Sequence, residues 1–454
     1  MLEITRDYIQ NLQEDIALGK DSAIIALLTD VHPADIADVF EELRAEENAY
    51  VYKLLDRELA AGVIVELDED VRERLLQSFT SKEIAEEVIE HIDSDDASDM
   101  ISELSDEKIE EIISHIEDEE KASDIIDLLN YREGTAGALM AKELIKVNEK
   151  WTVAHCIREM RKQAEELDNV YTIYVVDDRD VLLGRLSLKR LLFSASTTRT
   201  IIKDIYDPQT IYTVLANETE EKVANIMEKY DLVALPVLNE SGQLLGRITI
   251  DDVVDVIMEE AERDYQMASG ISEDVEASDS IWTLTRARIP WLLIGMAGGI
   301  ASAYVIGIFD IEKHPEMALF IPLITAMAGN AGVQSAAIVV QGLANNSLRM
   351  EAITRKLLKE LAVGLFNGLI CSSILLLSSV VLHFSLDLSI TVSVALLSVI
   401  TFAAVFGTFV PLVLNRYKID PALATGPFVT TANDIIGLMI YFMVGNMLMT
   451  AVGA

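Results

Sequence analysis

The chain has 454 residues, enough for three domains of ordinary size, and its 75 Asp and Glu against 36 Lys and Arg give a net charge of -39. Residues 281–454 hold nine Lys or Arg and eight Asp or Glu, which leaves 27 and 67 for residues 1–280, so the charge divides into -40 in front and +1 behind. So acidic a front part argues against nucleic acid or an anionic membrane surface as its ligand, since both need Lys and Arg against phosphate, and makes a cation its natural counterpart.

The first residues, MLEITRDYIQNLQ, lack a basic flank followed by an apolar core, so no cleavable signal peptide is expected and insertion rests on later helices. Cys156 and Cys371 are too few and too far apart for a disulfide framework or a thiolate metal site, which fits a cytosolic soluble part. Residues 10–130 alternate short apolar-periodic helices with polar turns. Asp35-Ile-Ala-Asp38-Val-Phe-Glu-Glu-Leu43 recurs as Asp96-Ala-Ser-Asp99-Met-Ile-Ser-Glu-Leu104, which predicts an all-α superhelical stack of hairpins over residues 1–135. Acids such as Asp93, Asp95, Asp96 and Asp99 commonly do no more than cap and solvate helices, but here they are numerous and poorly neutralised.

Within residues 136–250, Tyr174-Val-Val-Asp-Asp-Arg-Asp-Val-Leu-Leu-Gly-Arg-Leu-Ser187 matches Pro236-Val-Leu-Asn-Glu-Ser-Gly-Gln-Leu-Leu-Gly-Arg-Ile-Thr249 at a constant offset of 62. Each copy reads as a helix, two β-rich runs about a polar turn, and a second helix, an α+β unit that resembles one half of a tandem pair of CBS domains. That resemblance implies ATP or another adenine nucleotide as a ligand. The second copy carries Gly246-x-x-Thr249-x-x-Asp252 and the first Gly184-x-x-Ser187-x-x-Arg190, so Gly246, Thr249 and Asp252 are the candidate nucleotide residues. Residues 251–280 follow as a connector. There Asp251, Asp255, Glu259 and Glu262 lie on one face of an amphipathic helix and Val254, Ile257, Met258, Ala261 and Tyr265 on the other. Acids at four-residue spacing repel unless cations bridge them, which makes this helix a candidate for control by Mg²⁺.

Uncharged runs from Pro290 to Phe309, Met317 to Leu348, Leu361 to Leu386, Leu388 to Asn415 and Pro421 to the end, the last broken only by Asp434, predict five membrane helices in residues 281–454. Arg286 and Arg288, then Arg349, Arg355, Lys356 and Lys359, then Arg416 and Lys418 mark the cytosolic side. The N-terminus is therefore expected in the cytosol and the C-terminus outside a cytoplasmic membrane. Asp434 lies near mid-bilayer, where a carboxylate costs about 2.5 to 3.5 kcal/mol on insertion scales, and shares a helix face with Thr430, Thr431, Gly437 and Tyr441. Span two carries Gly329-Asn330-Ala331-Gly332-Val333-Gln334 at a similar depth, so Asn330 and Asn433 join Asp434 as candidate oxygen donors. No Lys or Arg lies inside a span to hold an anion, and Mg²⁺, which sheds water reluctantly, suits a path lined by carboxylate, amide and carbonyl oxygens. One Asp per chain is too few for a cage, which predicts a homodimer with Asp434 of each copy at the two-fold axis.

The whole chain resembles the MgtE family of Mg²⁺ channels. The resemblance is carried by Tyr131-Arg-Glu-Gly-Thr-Ala-Gly-Ala-Leu-Met140, by Gly329-Asn-Ala-Gly-Val-Gln334, and by Asp420-Pro-Ala-Leu-Ala-Thr-Gly426-Pro427 leading to Asn433-Asp434. It implies that Asp434 is the family's pore aspartate and that residues 251–280 form a plug helix. It also implies regulatory Mg²⁺ on carboxylates corresponding to Asp95 and Asp99 in front and to Asp252, Asp255, Glu259 and Glu260 in the plug region, holding the pore shut. A coupled Na⁺ or H⁺ exchanger and a membrane-anchored nucleotide sensor are the alternatives. Enzymatic activity is not expected, because no nucleophile with a base, P-loop or zinc motif occurs.

Overall fold

The computed structural model describes residues 4–452 apart from 103, 165–166, 168–169, 171, 194–198, 209–210, 273–274, 276–278, 310–314, 345–352 and 425. The chain forms two compact units, Met1–Ile257 and Met258–Ala454. The first opens with ten helices among the described residues, α1 (Arg6–Ala17) through α10 (Glu119–Leu128), including α8 (Ser94–Ser102). They start where the sequence offers caps: Thr80 and Glu83 form a reciprocal capping box, and the Asp118 carboxylate accepts from two backbone N–H groups. One apolar core runs through the stack, with Phe40, Ile64, Leu75 and Ile84 buried. Burial of each such side chain stabilises by roughly 1.5 to 3 kcal/mol.

The repeat then takes shape twice. The first copy is β1 (Ile145–Asn148), α11 (Val153–Gln163), β2 (Ile173–Val176), β3 (Leu182–Leu186) and α12 (Leu188–Phe193). The second is β4 (Val214–Leu215), α13 (Glu220–Tyr230), β5 (Ala234–Leu238), β6 (Leu244–Thr249) and α14 (Ile250–Ala268). Each sheet pairs its first two strands in parallel and the last two antiparallel. Val175 pairs with Gly184 and Val237 with Gly246, and each ladder shifts register at the next residue, so the sequence offset is kept in the hydrogen bonds.

Among its described residues the second unit holds five helices long and apolar enough to cross a membrane: α15 (Ile281–Ile308), α16 (Ile321–Ala344), α17 (Ile353–Val381), α18 (Leu386–Arg416) and α19 (Pro427–Val452). At about 1.5 Å per residue even the 24 residues of α16 exceed a hydrocarbon core of about 30 Å. α15 starts at Ile281 and α17 at Ile353, ahead of the apolar runs, because the charged residues before those runs keep helical backbone. The break between α17 and α18 falls at His383, whose φ is +63°, and Ser385 caps α18. α18 is the most enclosed of the five. Small residues permit that packing: Gly364 and Gly368 of α17 meet Thr401, Ala404 and Leu397, and Gly407 meets the Gly332 carbonyl of α16.

Candidate functional site

In the membrane unit, α16 and α19 run antiparallel. Gly437 faces Ala328, Thr430 and Asp434 face Gly329, and Val429 and Asn433 face Gly332. A methyl group built on Gly329 would stand 3.1 Å from Thr430 Cγ2 and 3.8 Å from Asp434 Oδ1, so the half-buried carboxylate lies at the level of the glycine-rich turn. Asn433 is fully buried, with neither side-chain polar atom hydrogen-bonded, and its amide abuts Gly332. Asn330, two residues and about 200° away around α16, is exposed on the single chain together with Gln334. The structure thus brings Asp434 to Gly329 but does not bring Asn433 and Asn330 together within one chain. Farther along α19, Tyr441 Oη donates to the Met317 carbonyl at 2.8 Å and pins the helix to the short 3-10 segment Pro315–Phe320.

A second candidate site lies in the first unit, at the start of α8. Carboxylate oxygens of Asp93, Asp95 and Glu143 lie within 4.8 Å of one another. Ser94 holds Glu143 there, donating its N–H at 3.1 Å and its hydroxyl at 2.8 Å, and Ser94 Oγ accepts from Lys142 N–H. Buried Arg247 reaches Asp93 at 3.3 Å and donates to the Glu143 carbonyl, whereas Lys142 Nζ turns to Asp127. One guanidinium does not balance this many acids. Burial, reinforced by Asp96 and Asp252, holds the Asp95 carboxyl well above the usual range. Burial together with Asp93, Asp252 and Asp99 pushes Asp96 up to about 7. Asp252 is raised by burial even though Thr249 hydrogen-bonds to it. Hard oxygen donors in mutual repulsion fit a divalent cation such as Mg²⁺.

Of the residues expected to bind regulatory Mg²⁺, Asp95 and Asp252 meet here and Asp99 stands one turn along α8. Asp255 is one turn along α14, and Glu259 and Glu260 lie on the part of α14 that belongs to the second unit. Sequence reasoning missed Glu143. It lies 49 residues from Ser94, and only the folded chain joins them.

The candidate nucleotide residues Gly246, Thr249 and Asp252 lie on β6 and the first turn of α14. Thr249 donates both its N–H, at 2.8 Å, and its hydroxyl, at 2.9 Å, to the Asp252 carboxylate, so this pair caps α14 among acids that repel phosphate. A methyl on Gly246 would meet the Ala141 carbonyl at 2.5 Å, which shows how tightly that strand is covered. A cavity of about 430 Å³ lies in the first copy, lined by Val170, Thr172, Arg185, Ser187, Arg190 and Asp207.

Comparison with known proteins agrees with this architecture. A family model described as a divalent cation transporter matches residues 321–444, the MgtE intracellular N domain matches residues 31–134, and CBS domain models match residues 136–196 and 202–259. The magnesium transporter MgtE of Thermus thermophilus is 32% identical over 447 residues, 97% of this chain and 98% of that protein. The magnesium transporter MgtE of Bacillus subtilis is 30% identical over 317 residues, 69% of this chain and 70% of its own. Among solved structures, the cytosolic domain of the Mg²⁺ channel MgtE in complex with ATP is 31% identical with a TM-score of 0.50, covering 55% of this chain and 99% of that one. With one relative aligned over nearly the whole of both chains and each domain type matched, the chain belongs to the MgtE family of magnesium transporters.

Proposed function

We propose that the chain is a Mg²⁺-selective channel that imports magnesium across the cytoplasmic membrane and is closed by cytosolic Mg²⁺. The observation that carries the reading is Asp434, a carboxylate set into a membrane helix against the Gly329 turn of α16. Exposed Asn330 and Gln334 at membrane depth support a homodimer, because amides facing lipid are costly and a second copy about a two-fold axis supplies a wet, polar partner surface. The positively charged residues on one set of loops support an N-terminus in the cytosol and a C-terminus outside. Domain limits at 1–135, 136–250, 251–280 and 281–454 follow the changes in charge and hydropathy.

On the cytosolic side, Asp93, Asp95, Glu143 and Asp252 would hold Mg²⁺ between the helical stack and the second repeat copy. Asp255, Glu259 and Glu260 of the plug helix extend the regulatory set. A swing from mostly open to mostly closed needs about 5.5 kcal/mol of differential binding, which several such sites together supply. Adenine nucleotide is assigned to the first-copy cavity, where Arg185 and Arg190 offer positive charge to phosphate and Asp207 offers an acceptor to a ribose hydroxyl. The test is Mg²⁺ flux into liposomes with single-channel recording. Asp434→Asn is expected to abolish flux, and persistence of Mg²⁺ current in that variant overturns the reading.

A further inference from the structure

A second acidic residue packs against α16 from the charged first turns of α17, and the proposed path does not use it. Glu360 sits on α17, seven residues after Ile353, and accepts a hydrogen bond of 2.6 Å from the buried hydroxyl of Ser335 on α16. Lys356 stands one turn earlier on the same helix and offsets part of the charge. Ser335 lies six residues from Gly329 along α16, about 9 Å toward the end of the helix, and about 140° around the helix from Asn330. The bond therefore holds a flank of α16 about 120° around the helix from Gly329, which meets Asp434. At the level of Asp434 the buried face of α16 is built from Ala328, Gly329 and Gly332, which have little or no side chain, while the bulkier buried residues Ile324 and Val339 lie nearer its two ends. Such a surface lets helices approach closely. The Ser335–Glu360 hydrogen bond adds a directional contact between α16 and α17 to this close packing.

We propose that Glu360 is a positioning residue for transport: through Ser335 it fixes the rotation of α16, and with it the face that presents Gly329 and Asn330 to the ion. The inference rests on the reading of Asp434 as the pore carboxylate. The experiment uses full-length protein in liposomes and measures the Mg²⁺ concentration dependence and the Mg²⁺ to Ca²⁺ flux ratio for Ser335→Ala, Glu360→Ala, the double variant and Glu360→Gln. Ser335→Ala and Glu360→Ala are each expected to raise half-saturating Mg²⁺ by roughly tenfold, the scale of one charge-assisted hydrogen bond. Both should lower the Mg²⁺ to Ca²⁺ ratio, and the double variant should be no worse than either single one. Glu360→Gln keeps a neutral acceptor for Ser335 and is expected to recover a large part of both readouts relative to Glu360→Ala. Unchanged half-saturation and ratio in Ser335→Ala overturn the proposal, as does a Glu360→Gln protein as impaired as Glu360→Ala. Ser335→Ala and Glu360→Gln are mild enough to decide the matter should Glu360→Ala not fold. Asp434→Asn, run alongside, separates the two ideas: normal flux there removes the pore reading, whereas loss of flux there with silent Ser335 and Glu360 variants removes only this one.

Discussion

At the scale of single residues, the membrane unit depends on where side chains are absent. A methyl on Gly332 would stand 1.9 Å from Asn433 Nδ2 and 2.9 Å from Val429 Cγ1, whereas one on Gly295 of α15 would meet nothing within 4 Å. Gly332→Ala is therefore expected to force α16 and α19 apart, destabilising the bundle by about 1 to 3 kcal/mol, the usual scale of overpacking, and lowering Mg²⁺ flux. Gly295→Ala should leave both unchanged. Thermal unfolding of the two purified proteins in detergent checks the difference. Asp434 was legible in the sequence because a carboxylate in an apolar run stands out on composition alone. Asn433 next to it was not legible as a packing residue: one step along a helix turns a side chain by about 100°, and only the partner helix decides which of two polar neighbours is buried. Glu360 escaped notice because it falls one residue before the uncharged run that marked its span.

At the scale of elements, the end of α14 and the start of α19 form one contact inside the second unit. Gly426, with φ of +57°, leaves its Cα so near the Ala268 carbonyl that a methyl there would be 2.2 Å from the oxygen, and Gly270, with φ of +83°, lies against Pro427. Pro427 is the first residue of the helix that carries Asp434, so a shift of the α14 terminus bears directly on it. Gly426→Ala adds the clash and the left-handed strain together, and is expected to weaken the block by cytosolic Mg²⁺ while leaving flux at low Mg²⁺ near normal. Flux at several internal Mg²⁺ concentrations measures this, and an inhibition curve superimposed on that of the parent would deny the contact a role in gating. The helices themselves were readable from apolar length, and the repeat from its offset. Their starts were not, because a charged turn continues a helix as easily as an apolar one.

At the scale of the whole molecule, the separation of charge into -40 and +1 sets up a conflict that the fold concentrates at one place. Asp93, Asp95, Asp96, Glu143 and Asp252 come together although dilution over the surface would relieve their repulsion, and Arg247 answers only part of it. The raised carboxyls of Asp95, Asp96 and Asp252 have a consequence for stability. A carboxyl with a folded pKa above its unfolded value binds more protons in the native state, so stability falls as pH rises from about 4 through the folded value, about 7 for Asp96. Mg²⁺ acts in the opposite sense, since a dication among ionised carboxylates stabilises the folded form and competes with protons for the same oxygens. The full-length protein in chelator should therefore melt several degrees lower at pH 8 than at pH 5.5, and millimolar Mg²⁺ should raise the melting temperature much more at pH 8 than at pH 5.5. Glu143→Gln, which removes one charge but keeps an acceptor for only one of the two Ser94 donors, should lessen the fall in stability of the metal-free protein between pH 5.5 and pH 8 and reduce the response to Mg²⁺. A Mg²⁺ response equal at both pH values would mean that the ion binds elsewhere and that the cluster titrates without it.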